Sequence, residues 1–154
     1  MTLKRWLENR WLVGLVEHQA TREEIESLLA IIDRDITDAR VAAISPDWRL
    51  AIAYNSALQC AVAALAASGY RPGKGGSHHY YAIESLRFTL ECDEAVIDTL
   101  EAFRKKRNIA DYERAGAATD TEVQELLEMS SAMREDLLKW LANKFPGLAP
   151  RRKH

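Results

Sequence analysis

Residues 45–69 read SPDWRLAIAYNSALQCAVAALAASG. Ser45 supplies an N-cap and Pro46 a proline at the first helical position, where its missing N–H costs nothing. Gly69 is a natural C-terminal stop. Between them stand eight alanines: Ala51, Ala53, Ala57, Ala61, Ala63, Ala64, Ala66 and Ala67. Alanine has the highest helix propensity, and a side chain of one methyl lets a neighbouring helix come close. The segment predicts a long helix from Pro46 to about Ser68. Asn55 falls in an otherwise apolar row of Trp48, Ala51, Ile52, Leu58 and Val62, and reads either as a buried amide bonded to a neighbouring helix or as a supporting partner of Arg107 in a site.

Upstream, Thr21 followed by Glu24 has the form of a capping box. The helix it opens places Ile25, Leu28, Leu29, Ile32, Ile36, Ala39 and Ala43 on one face and charge on the other. Residues 2–11 form a short amphipathic segment with Leu3, Trp6 and Leu7 together. Downstream, residues 70–77 (YRPGKGGS) are the clearest loop in the chain. Ser77 can cap a helix that starts at His78-His79-Tyr80-Tyr81 and continues to about Arg114, with a kink near Cys92-Asp93. Thr119 and Glu122 form a second capping box. The helix after it presents Val123, Leu126, Met133, Leu137 and Leu141 and stops before Pro146-Gly147. No strand-like alternation is visible. Four long amphipathic helices with short connections predict an all-α, antiparallel four-helix bundle with a short extra N-terminal helix. The expected division is an N-terminal extension over 1–20, the bundle over 21–145 and a disordered basic tail over 146–154.

A chain of 154 residues, 47% hydrophobic and 29% charged, is of ordinary globular composition. Its net charge of −2 gives no global attraction to nucleic acid, so any RNA contact has to be a local basic patch. Cys60 and Cys92 fall in apolar helical surroundings and read as small buried hydrophobes rather than a disulfide or metal pair. The early apolar run, Leu12 to Val16, is too short for a signal peptide or a membrane span, and a cytoplasmic protein is expected.

The stretch Arg104-Lys105-Lys106-Arg107-Asn108-Ile109-Ala110-Asp111-Tyr112 changes the character of its helix. Val96, Leu100, Phe103, Arg107 and Ala110 form one stripe by helical spacing, apolar except for Arg107. A guanidinium in a core row must meet a partner. The bland reading is an i,i+4 ion pair with Asp111, worth roughly 0.2–0.5 kcal/mol when exposed. The functional reading is a buried or interface arginine that can bind a phosphate, flanked by Arg104, Asn108 and Asp111. Asn108 and Tyr112, also i,i+4, read either as a surface contact or as hydrogen-bonding groups beside Arg107. His78 and His79 read as solvent-facing imidazoles or, if one reaches the arginine, as a proton-transfer group. Adjacent helical residues point about 100° apart, so the pair is not a metal site. The Lys74 loop lacks the spacing of a Walker motif.

The span from about Thr21 to Leu141 resembles a HEPN domain, an all-α superfamily rich in prokaryotic RNases and toxins. The resemblance rests on Ala53-Tyr54-Asn55 in an alanine-rich helix ending at Gly69-Tyr70-Arg71-Pro72, on the Gly-rich loop before His78-His79, and on Arg107-Asn108. The family signature is an arginine, commonly followed by Asn, Asp or His, with a histidine after four to six residues. Here those histidine positions hold Tyr112, Glu113 and Arg114. The resemblance implies a metal-independent ribonuclease or toxin of a toxin–antitoxin or phage-defence system, with no cofactor. Arg107, Asn108 and Tyr112 would be catalytic, and Arg104, Asp111, His78 and His79 would bind substrate. It also implies RNA as a partner, a homodimer with facing arginine motifs, and a nucleotidyltransferase antitoxin. The alternative it leaves is a non-catalytic module that binds a nucleotide, an RNA or a protein. Tyrosine, with a reference pKa of about 10, is a poor base at neutral pH.

Overall fold

A computed structural model describes residues 2–8, 15–73 and 78–151, and the alanine-rich segment is its centre. Six helices and two short strands are found among these residues: α1 (Leu3–Leu7), β1 (Leu15–Glu17), α2 (Arg22–Ala39), α3 (Pro46–Ala67), β2 (Tyr70–Pro72), α4 (His78–Ser85), α5 (Glu94–Tyr112) and α6 (Asp120–Lys144). The protein is thus mostly helical. Helix α3 packs against α2, α4, α5, α6 and β2. Ala53, Ala57, Ala61, Ala63 and Ala64 are fully buried at these contacts. α3 is long and apolar enough to cross a membrane, but 72% of its most apolar window is buried under the other elements. It is a core helix here.

The caps act as the residue types require. The Ser45 hydroxyl accepts from the Trp48 amide, and Thr119 and Glu122 form a reciprocal capping box at α6. Thr21 caps α2 through the Glu24 amide. The Glu24 carboxylate, however, turns to Nε2 of His18, 2.8 Å away, so the expected box at α2 is only half made. α2 buries Ile25, Leu29, Ile32, Ile36 and Ala39 and ends there, leaving Ala43 exposed. On α6, Val123, Leu126, Met133, Leu137 and Leu141 are all buried. Arg134 of α6 forms an ion pair with Asp33 of α2.

Three expectations are corrected. Residues 78–114 are two helices. Between them the chain turns over Leu86–Asp93, with Glu91 at a left-handed φ of 54° and Asp93 capping α5 through the Val96 amide. Cys92 therefore lies in a turn rather than within a helix, whereas Cys60 is fully buried in α3. A two-stranded antiparallel sheet is present, with Leu15 opposite Pro72 and Glu17 opposite Tyr70. Residues 146–149 are tied to the core: Arg22 donates to the carbonyls of Ala149 (2.9 Å) and Pro146 (3.2 Å), and Leu148 and Ala149 pack inward. Residues 152–154 and Ser77 lie outside the described residues.

Leu3, Trp6 and Leu7 turn inward on α1, with the Trp6 ring 5.2 Å from that of Phe88. Asp47, in the first turn of α3, fixes the α5–α6 connection. Its carboxylate accepts from the amides of Gly116 (2.6 Å) and Ala118 (2.9 Å), which hold its pKa below the usual carboxylate value.

Candidate functional site around Arg107

Helix α5 buries Ile97, Leu100 and Phe103, and Arg107 follows one turn later on the same side. Its side chain is 26% exposed. The guanidinium lies over the Tyr54 ring of α3, with Cζ 5.6 Å from the ring centroid. This is within range of a cation–π interaction. Nε is 3.3 Å from the Asp111 carboxylate, and Nη1 donates to Asn108 Oδ1 at 3.3 Å. The ion pair of the bland reading is present, and it is half-buried rather than exposed.

Tyr54 is 2% exposed, the largest fully buried side chain of the core. Its hydroxyl lies 3.3 Å from Nδ1 of His79, on the first turn of α4. Burial pushes the phenol pKa well above its ordinary value, outweighing the pull of Arg107 and Arg104. Burial also pushes the His79 imidazole down, to about 4, and the charges of His78, Arg107 and Arg104 act in the same direction. At neutral pH the site therefore holds cationic guanidinium groups beside a neutral phenol and a neutral imidazole. His78 is exposed and meets His79 edge-on, with ring centroids 4.4 Å apart.

Arg104 lies one turn before Arg107 and donates twice to Glu101, at 3.1 and 2.9 Å. The other oxygen of Glu101 is shut off from solvent and has no hydrogen-bond partner among the described residues. Tyr112 is 78% exposed at the end of α5. Asn55 donates to Asp35 of α2 at 2.7 Å, so it is a half-buried amide bonded to a neighbouring helix. Lys74 lies outside the described residues. Among the described residues, no group of three or more His, Cys, Asp or Glu is arranged to hold a metal.

The structure thus brings Arg107, Asn108, Asp111, Arg104 and His79 into one cluster, and His78 borders it. Tyr54 and Glu101 belong to the cluster although nothing in their sequence spacing assigns them to a site. The available signal for Tyr54 was a single large polar aromatic in a run of alanines, which requires something to sit over it and bond its hydroxyl.

No protein-family model, curated protein or solved structure matches the chain.

Proposed function

We propose that the protein is an RNA-directed HEPN-type protein, a metal-independent ribonuclease or toxin of a toxin–antitoxin or phage-defence system. In this reading α2, α3, α5 and α6 are the four helices of an antiparallel bundle. The observation that carries it is the half-buried Arg107 guanidinium held over a buried tyrosine, with a neutral imidazole bonded to that same tyrosine. A planar cation fixed by two partners suits a phosphate oxygen, and a neutral imidazole can take a proton.

The reaction follows from those roles. The RNA 2′-oxygen attacks phosphorus while the His79 imidazole takes its proton. Charge gathers on the phosphoryl oxygens, where Arg107 stabilises it and Asn108 helps to position the group. The P–O5′ bond breaks, the imidazolium returns its proton to the 5′-oxygen, and a 2′,3′-cyclic phosphate remains. A bound phosphate offsets the positive field of Arg104 and Arg107, which raises the basicity of His79 when substrate is present. Tyr112, exposed at the end of α5, is assigned to substrate contact in this scheme. A homodimer with facing arginines, and a nucleotidyltransferase antitoxin as partner, belong to the same proposal.

The test is incubation of the purified protein with labelled tRNA and total RNA in the presence of EDTA. Cleavage leaving cyclic phosphate is expected, lost in Arg107→Ala and strongly reduced in His79→Ala. Cleavage that survives Arg107→Ala would remove the proposal. One observation favours a second reading, a non-catalytic binding module: Asp111 already neutralises much of the Arg107 charge. Binding of RNA or nucleotide without cleavage, weakened in Arg107→Ala, would select that reading.

A further inference from the structure

The first turn of α3, the last turn of α5 and the α5–α6 connection enclose a cavity of about 500 Å³. Its lining is largely apolar, with Pro46 and Trp48 from α3, Ala110 from α5, and Ala115 and Ala118 from the connection. The connection is fixed in place, because the Asp47 carboxylate holds the amides of Gly116 and Ala118. The volume falls within the range of preformed ligand sites, about 300–1,000 Å³. Asp111 joins this cavity to the Arg107 cluster. It is a lining residue, and its carboxylate lies 3.3 Å from Nε of Arg107. Ala110 and Asp111 stand about 4.5–6 Å beyond Arg107 along α5, at 1.5 Å per residue. The sugar between a phosphate and its base can bridge that gap.

The second observation is Trp48. It lines the cavity and is 64% exposed, although tryptophan is highly buried on average. Trp48 and Tyr112 are the two most exposed aromatic side chains among the described residues, and Tyr112 directly follows Asp111. An indole open to water is a stacking platform that any base can use, because every base has a π-face. Charge decides which part of a nucleotide belongs here. Asp47 and Asp111 are among the lining residues and no lysine or arginine is, so the cavity disfavours a phosphate and admits a neutral ring.

We propose that this cavity receives an unpaired nucleobase of single-stranded RNA, stacked on Trp48 while the adjoining phosphate lies at Arg107. A base inside a duplex is closed in its own stack and cannot reach the indole, so the substrate is single-stranded at this position. The assignment rests on the RNA reading above and adds to it the strandedness of the substrate and the residue that senses it.

The experiment is filter binding of the whole protein to a single-stranded 2′-O-methyl oligoribonucleotide of about ten nucleotides and mixed sequence, which has no 2′-hydroxyl to react. The duplex of the same sequence is the control, and both are titrated over a range of salt concentrations. Trp48→Ala should bind the single strand about 5- to 100-fold more weakly, and Trp48→Phe, which keeps a stacking ring, nearly as well as the wild type. The salt dependence should be unchanged in Trp48→Ala and shallower in Arg107→Ala, because only the arginine loses a phosphate contact. The duplex should not distinguish Trp48→Ala from the wild type. Wild-type affinity in Trp48→Ala beside a loss in Arg107→Ala would overturn the base site and leave the RNA reading standing. Equal losses on single strand and duplex would overturn it too. So would a dimer that falls apart in Trp48→Ala without RNA, since the indole would then be a contact between copies. A wild-type protein that binds neither RNA would end the RNA reading, and the base site with it.

Discussion

The Tyr54 phenol on α3 carries the Arg107 guanidinium over its ring while its hydroxyl lies 3.3 Å from Nδ1 of His79 on α4. One buried side chain thus sets the positions of a cation from one helix and an imidazole from another. Because Tyr54 stands on the most enclosed helix of the protein, neither partner can shift without disturbing the core. This coupling makes the cluster pre-organised, and it also makes its parts testable one by one.

The His79 imidazole should stay neutral across the physiological range. Its pKa is lowered to about 4, first by burial and then by the charges of His78, Arg107 and Arg104. In a histidine NMR titration, no His79 transition is expected between about pH 6 and 8. Arg107→Ala removes one of the cations and should move the midpoint upward. The sign for stability follows. The unfolded chain binds a proton near pH 6.5 and the folded chain only near 4, so folding stability falls as pH drops through that window. Urea midpoints at about pH 7 and 5 should differ less in His79→Gln than in the wild type. A folded-state His79 midpoint near its ordinary value would show that the imidazole is not enclosed as described.

Replacing Arg107 should cost function far more than stability. Arg107→Ala removes an i,i+4 ion pair and one cation–π contact, a loss of about 1 kcal/mol by the sum of their usual worths. Arg107→Lys keeps the charge but loses the planar fork, so it should unfold near the wild-type midpoint and bind RNA less well. Denaturant melts and filter binding measure the two effects. A loss of several kcal/mol in Arg107→Ala would make the arginine chiefly structural.

The alanine face of α3 should resist enlargement. Ala61 is fully buried, and Ala61→Leu adds three carbons where helices already touch. A loss of about 1–3 kcal/mol is expected from overpacking. Leu137→Ala on α6, also fully buried, should cost about 2–5 kcal/mol by leaving a cavity. Thermal or urea unfolding of both variants checks the contrast.

At the start of α6, Thr119 and Glu122 hold each other's backbone amides. Thr119→Ala should cost about 1 kcal/mol, and Thr119→Ser much less. Equal melting temperatures for wild type and Thr119→Ala would mean that the cap is replaced by solvent at no loss.

The long helices α2, α3 and α6 were legible because caps and apolar periodicity agreed over many turns. Thr21, Ser45 and Thr119 mark their starts, and the five α6 residues that spacing selects are all buried, with Leu127 and Ser130 beside them. The break between α4 and α5 was not legible as a full turn. Cys92-Asp93 marked the place, but the left-handed Glu91 is a backbone fact that no residue type announces there. The two strands escaped notice because three residues are too few for alternation to register, and their pairing joins segments more than fifty positions apart. Within the site, Arg107 stood out by interrupting an apolar row. Tyr54 did not, because a tyrosine among alanines fits the same helical pattern. Asn55 looked like a candidate for the site, yet Asp35 across the α2–α3 contact claimed it.

The clasp between Arg22 and the carbonyls of Pro146 and Ala149 has a practical consequence. It brings residues 146–149 beside the segment that enters α2, and Leu148 lines the same hollow as His18 and Gly69. Residues 17–22 and 146–149 therefore meet at one pole, about 20 Å along the axis of α3 from Tyr54 at 1.5 Å per residue. A fluorophore, affinity handle or surface tether attached at the exposed Arg151, which pairs with Glu23 in the first turn of α2, would leave the guanidinium cluster unobstructed.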